Sequence, residues 1–108
     1  MQLLMSPWFM ELASYDATRE LRNIHCPVLA VFGDKDLQVA AQPNSDAMKA
    51  TFAAARNRDV TLRTFPGLNH LFQHARTGAP AEYSTIEETM APEVMNATAQ
   101  WILAKARR

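Results

Sequence analysis

The chain has 108 residues, with 11 basic and 11 acidic side chains that cancel to a formal net charge of zero and form no long run of either sign. That balance gives no electrostatic basis for nucleic acid or an anionic membrane as a partner. Hydrophobic residues at 48% and charged residues at 20% are the proportions of a folded unit, of one domain at most at this length, and they argue against a disordered chain.

Met1-Gln2-Leu3-Leu4-Met5 lacks the basic start and long apolar centre of a secretory signal. No apolar stretch reaches the roughly 18 residues of a membrane span, so the location is open, with the cytoplasm as the default. Ser6 followed by Pro7 reads as the N-cap and first residue of a short helix through about Ala13. Trp8 and Phe9 are expected in the core, with the lining of a substrate pocket as the alternative. Asp16 caps a second turn, Ala17 to Leu21. His25 is expected in solvent. Cys26, the only cysteine, excludes an internal disulfide and a thiol metal cluster, and reads as a small buried residue. Pro27 leads into Val28-Leu29-Ala30-Val31-Phe32. This run is apolar at every position, as in a strand buried on both faces of a parallel sheet, and Gly33 ends it.

After the loop around Asp36, a helix is expected from Gln42 or Pro43 to Arg56, with Ala47, Met48, Thr51, Phe52 and Ala55 at helical spacing. Val60-Thr61-Leu62-Arg63-Thr64-Phe65 alternates, as suits a strand nearer a sheet edge, and Pro66-Gly67 terminates it. Residues 73 to 89 read as a long polar loop containing Gly78 and Pro80, with His74 in solvent. A closing helix begins near Pro92. Met90, Val94, Ala97, Thr98, Trp101, Ile102 and Lys105 recur at helical intervals, Trp101 is assigned to the core, and Lys105, Arg107 and Arg108 complement the helix dipole.

Strand, helix, strand, loop and helix predict an α/β fold of two parallel strands with a right-handed crossover helix and a closing C-terminal helix. Two parallel strands make a poor sheet. The apolar first strand calls for a neighbour on its other edge, which the chain does not offer. The expectation is therefore that residues 1–108 form the C-terminal part of a larger α/β domain, or that another copy of the chain supplies the neighbour.

Functional residues of open α/β sheets lie in loops beyond the C-terminal ends of the strands. Gly33-Asp34-Lys35-Asp36 and Gly67-Leu68-Asn69-His70 both occupy such places. A carboxylate in the first loop can hold one nitrogen of an imidazole in the second, which leaves the other nitrogen to take a proton. Asp34 and Asp36 are both candidates for the acid. Asp36 is favoured because it stands further past the strand end, and Asp34 is then a turn residue. Acid before base is the order of Ser-Asp-His hydrolases. No G-x-S-x-G occurs in the chain, and Ser6, Ser14, Ser45 and Ser84 lack the flanking glycines of a nucleophile elbow. No spacing resembles a metal site, and no cofactor is expected.

The chain resembles the C-terminal third of α/β-hydrolase fold enzymes, in their esterase and prolyl-oligopeptidase-like branch. The resemblance rests on Ser6-Pro7-Trp8-Phe9, on the run from Cys26 through Gly33-Asp34-Lys35-Asp36 to Val39, on Pro66-Gly67-Leu68-Asn69-His70-Leu71-Phe72-Gln73, and on Gly78, Pro92 and Trp101-Ile102. It implies that Asp36 is the triad acid, that His70 is the base, and that the two strands are the last two of the family's sheet. It further implies a serine hydrolase acting on small carboxylic esters, with amides or peptides as the alternative, whose nucleophile is carried by an N-terminal half outside these residues. The competing expectation is a truncated, non-catalytic module that pairs through an open strand edge.

Overall fold

The computed structural model describes residues 6–107. The readings of residues 1–5 and of Arg108 fall outside them. The first helix, α1 (Pro7–Ser14), starts where a cap and a proline dictate: the Ser6 hydroxyl accepts the Phe9 amide at 3.2 Å. The Asp16 carboxylate accepts the Thr18 amide at 3.0 Å and opens α2 (Ala17–Leu21). Neither helix buries a residue, and Trp8 is 65% exposed. The core expectation for Trp8 fails because no described element covers that side of α1. Trp8 instead lines a shallow groove with Glu11, Leu12 and Tyr15.

The strands β1 (Val28–Gly33) and β2 (Val60–Phe65) pair in parallel, from Val28 opposite Val60 to Gly33 opposite Phe65. The Val28 amide donates to the Asp59 carbonyl and the Asp34 amide to the Phe65 carbonyl. These two bonds fix the phase of the ladder. Backbone groups of Leu29, Val31 and Gly33 therefore point away from β2, and those of Val60, Leu62 and Thr64 away from β1. No described strand pairs with either outer edge.

The crossover helix α3 (Ala41–Ala54) begins slightly earlier than the sequence predicts and ends two residues sooner. Its end has a local cause. Arg56 takes a left-handed backbone with φ of 61°, its amide donates to the Ala53 carbonyl at 3.1 Å, and the Asn57 amide donates to the Phe52 carbonyl at 3.0 Å. These two bonds form a Schellman closure. The Asn57 side chain then donates to the carbonyls of Ile24 and Cys26, both at 3.0 Å, and so sets the start of β1. Cys26 is exposed, contrary to expectation, because it lies ahead of the strand where nothing packs over it.

The closing helix α4 (Pro92–Ala106) contacts β1. Phe65, Leu68, Ala91 and Val94 form the buried cluster on this side, with Val31, Phe72, Met90 and Ala97 packed against it. Successive strand residues face opposite ways, so Phe32 lies on the other face, the side of α3 and its buried Phe52. The sheet thus has one helix on each face. The expected long loop is interrupted by a 3-10 helix at Pro80–Thr85. Proline at its start favours the turn, and the Glu82 carboxylate accepts the amides of Arg76, Thr77 and Gly78.

Candidate active site

Two loops leave the C-terminal ends of β1 and β2 and are joined to one another by one backbone bond and one bond to a side chain. The Lys35 amide donates to the Leu68 carbonyl at 2.9 Å, and the Gly67 amide donates to Asp34 Oδ1 at 2.7 Å. Gly33 lies so close to the second loop that a Cβ there would collide with the carbonyls of Leu68 and Asn69. Gly67 has open space around it but a φ of +78°, the left-handed conformation in which the chain turns. The two glycines thus serve different needs: close backbone approach at Gly33, turn conformation at Gly67.

The geometry separates Asp34 from Asp36. Asp34 ties the loops together through Gly67. Asp36 contacts the histidine: its Oδ2 is 2.9 Å from His70 Nδ1, while its Oδ1 accepts the amides of Gln38 and Val39, both at 2.8 Å. One carboxylate oxygen is therefore anchored by the backbone and the other is committed to the ring. The Asp36 side chain is 10% exposed and that of His70 36%. Burial pushes the Asp36 carboxyl up, but the Val39 amide, the His70 hydrogen bond, the Gln38 amide and the His70 charge together outweigh it and hold the group below its ordinary value. An ionised carboxylate only accepts, so His70 Nδ1 carries the proton, and in the neutral ring the lone pair falls on Nε2. No described residue hydrogen-bonds Nε2.

His70 stands at the tip of a tight hairpin between Gly67 and Ala75. The Ala75 amide donates to the Gly67 carbonyl, Leu68 and His74 form an antiparallel bridge, and the Asn69 amide donates to the Gln73 carbonyl. Asn69 is fully buried. Its Oδ1 accepts the amides of Leu71 and Gln73 at 3.0 Å each, and its Nδ2 donates to Gln73 Oε1 at 3.0 Å. Phe72, with φ of 59°, completes the turn. Sequence reasoning passed over Asn69 as a spacer. An Asn directly before a loop histidine was the available signal, since Asn side chains close such turns.

Other residues support the acid loop. Lys35 Nζ donates to the carbonyls of Ala75 and Arg76 at 2.8 and 3.1 Å. Gln38 Nε2 donates to the Tyr83 hydroxyl at 2.5 Å, linking the 3-10 helix to the segment that holds Asp36. His74 is exposed as expected, with 54% of its side chain in solvent, and its ring nitrogens are engaged at the surface by Glu88 at 2.9 Å and Glu93 at 2.7 Å. His25 is exposed as expected. Among the described residues, no cluster of His, Cys, Asp and Glu has a metal-holding arrangement, and no helix is long and apolar enough to cross a membrane.

An anchored carboxylate, an imidazole fixed in one tautomer and an accessible Nε2 can accept a proton from a nucleophile and return it to a leaving group. The model of the dienelactone hydrolase family matches residues 12–104, a stretch that contains both loops. No curated protein and no solved structure matches the chain.

Proposed function

This chain belongs to the dienelactone hydrolase family, a hydrolase family of the α/β-hydrolase fold, and we propose that Asp36 and His70 are its triad acid and base in the cleavage of carboxylic esters. The observation that carries the proposal is the 2.9 Å contact from Asp36 Oδ2 to His70 Nδ1, with Oδ1 held by two amides and Nε2 without a described partner. The family's name is that of a lactone hydrolase, and a lactone is an internal ester, which favours C–O over C–N cleavage.

In the proposed mechanism, His70 Nε2 takes the proton of a serine hydroxyl as its oxygen attacks the ester carbonyl carbon. The imidazolium that forms is stabilised by Asp36. Collapse of the tetrahedral intermediate breaks the C–O bond, and Nε2 returns the proton to the departing alkoxide. A water then repeats the sequence on the acyl-enzyme: Nε2 removes its proton, hydroxide adds to the carbonyl, and the serine leaves reprotonated. Asp36 accepts no proton at any stage.

The sequence has no G-x-S-x-G, so this reading requires a serine supplied from outside these 108 residues. The outer edge of β1 lies beside an apolar groove lined by Val31, Phe72, Met90, Val94 and Ile102, and in this reading that surface receives the segment that bears the serine. The same surface favours the second reading, a non-catalytic module in which another copy takes that place.

The test is turnover of p-nitrophenyl acetate by the protein joined to its nucleophile-bearing segment. His70→Ala and Asp36→Asn are each expected to lower kcat by about four orders of magnitude. Full activity in either variant refutes the assignment of that residue.

A further inference from the structure

The hairpin that carries His70 contains a second histidine, and the two are bonded in opposite ways. His70 has one ring nitrogen on a carboxylate and the other without a described partner. His74 has Nδ1 at 2.9 and 3.0 Å from the two oxygens of Glu88, and Nε2 at 2.7 Å from Glu93 Oε1. Its backbone amide also donates to Glu88 Oε1 at 2.8 Å. Carboxylates accept and do not donate, so both ring nitrogens must carry protons. The arrangement is satisfied by an imidazolium. A neutral imidazole would set a lone pair against one of the two glutamates.

The position of this cation matters. His74 is bridged to Leu68 across the hairpin, and the His70 tip lies between them. Glu88 precedes α4 and Glu93 lies in its first turn. The Gln73 side chain donates to the Glu88 carbonyl at 2.9 Å, and the Ala91 amide to the Phe72 carbonyl at 2.7 Å. One side of the hairpin is thus fastened to the start of α4, and the other to the acid loop through Lys35 and Asp34.

We propose that His74 is a positioning residue: as an imidazolium strut between Glu88 and Glu93, it holds the hairpin so that His70 Nδ1 stays on Asp36. The inference rests on the reading of Asp36 and His70 given above. It goes beyond that reading in assigning the neighbouring histidine a role outside proton transfer. His74 cannot serve as the base, because neither of its ring nitrogens is available.

The strut responds to pH. The Glu88 hydrogen bond raises the His74 value above its ordinary 6.5, burial opposes this, and the Glu93 hydrogen bond and the charges of both glutamates add to the rise. Hydrogen bonds from the His74 amide and ring hold Glu88 below its ordinary value. The other titratable groups around the hairpin are Asp34, Lys35 and Asp36 from the acid loop, Arg76 two residues beyond His74, Glu82 from the 3-10 helix and His70 itself; Asp34 is engaged by the Gly67 amide and Asp36 by His70. Lys35 is engaged by the Ala75 and Arg76 carbonyls, and Glu82 by loop amides. Neither makes a described bond to the His74 ring. A group whose value is raised on folding stabilises the fold below its unfolded value and loses that contribution as pH rises through the folded value. The strut therefore releases on the alkaline side.

The experiment is NMR of the imidazole 15N nuclei and of the His70 Nδ1–H proton in the 108-residue chain, a readout independent of ester turnover. At neutral pH, His74 is expected to show two protonated nitrogens and to titrate above 6.5. In His74→Gln, solvent exchange of the His70 Nδ1–H proton rises about tenfold, as local opening becomes easier. His74→Arg retains charge and two donor edges and restores most of the protection. Exchange unchanged in His74→Gln, or a neutral His74 at neutral pH, overturns the proposal. Failure of ester turnover with these signals intact would count against the proposed function and leave the strut in place.

Discussion

Asp34 and Asp36 stand two positions apart in one loop, and their bonds assign them different work. Asp34 spends its described contact on the Gly67 amide, whereas Asp36 keeps an oxygen for His70. Asp34→Asn retains an acceptor for that amide and is expected to leave kcat within about tenfold of the parent, against the four orders expected for Asp36→Asn. The ratio is measured by ester turnover of the two variants side by side. The folded value of Asp36 lies below its ordinary 3.8. Its contribution to stability is therefore complete well above pH 3.8 and is lost as pH falls through the lower folded value. Urea unfolding of the parent and of Asp36→Asn is expected to converge on the acid side, and an unchanged gap there would contradict the assignment.

At the scale of the element, each glycine beside the site has its own cost. Gly33→Ala forces a methyl into the carbonyls of Leu68 and Asn69, two backbone groups held by other bonds. A loss of about 2 kcal/mol or more is expected, at the upper part of the range for overpacking. Gly67→Ala meets no atom and carries only the strain of a left-handed backbone, about 1 kcal/mol. Urea midpoints rank the two, and an equal or reversed order would contradict the packing argument.

The elements themselves were largely legible in the sequence, because their signals are local: Ser6-Pro7, Asp16, the apolar run from Val28, and Pro92. The pairing of Asp36 with His70 was legible because each follows a glycine at a strand end. The supports were not. The bonds from Asn69 to Gln73, from Lys35 to Ala75 and from His74 to Glu88 and Glu93 depend on how a hairpin folds back on two other segments, and periodicity carries no trace of that. Cys26 and Trp8 were misplaced for a related reason: an apolar residue signals burial only where some element lies over it.

At the scale of the whole molecule, the described fold leaves too much surface in water. The chain exposes 7913 Å², whereas a folded monomer of 12.1 kDa exposes roughly 6000 Å². Its radius of gyration is 16.4 Å, against about 13 Å for a compact chain of this length. Met95, Ile102 and Leu103 on α4 are each at least half exposed, Met95 and Ile102 share a groove with Val31 of β1, and no described strand pairs with the outer edge of β1. The chain on its own is therefore expected to self-associate. Light scattering should give at least twice the mass of one chain, and Ile102→Lys should shift the population toward monomer by placing a charge in the groove. A monodisperse parent monomer would show that this surface needs no cover.

The most direct test of the central claim is the tautomer of the neutral His70 ring in the chain itself, read from its ring 15N shifts. The account predicts a proton on Nδ1, a lone pair on Nε2 and loss of this preference in Asp36→Asn. A proton found on Nε2, or a preference that survives Asp36→Asn, would contradict it.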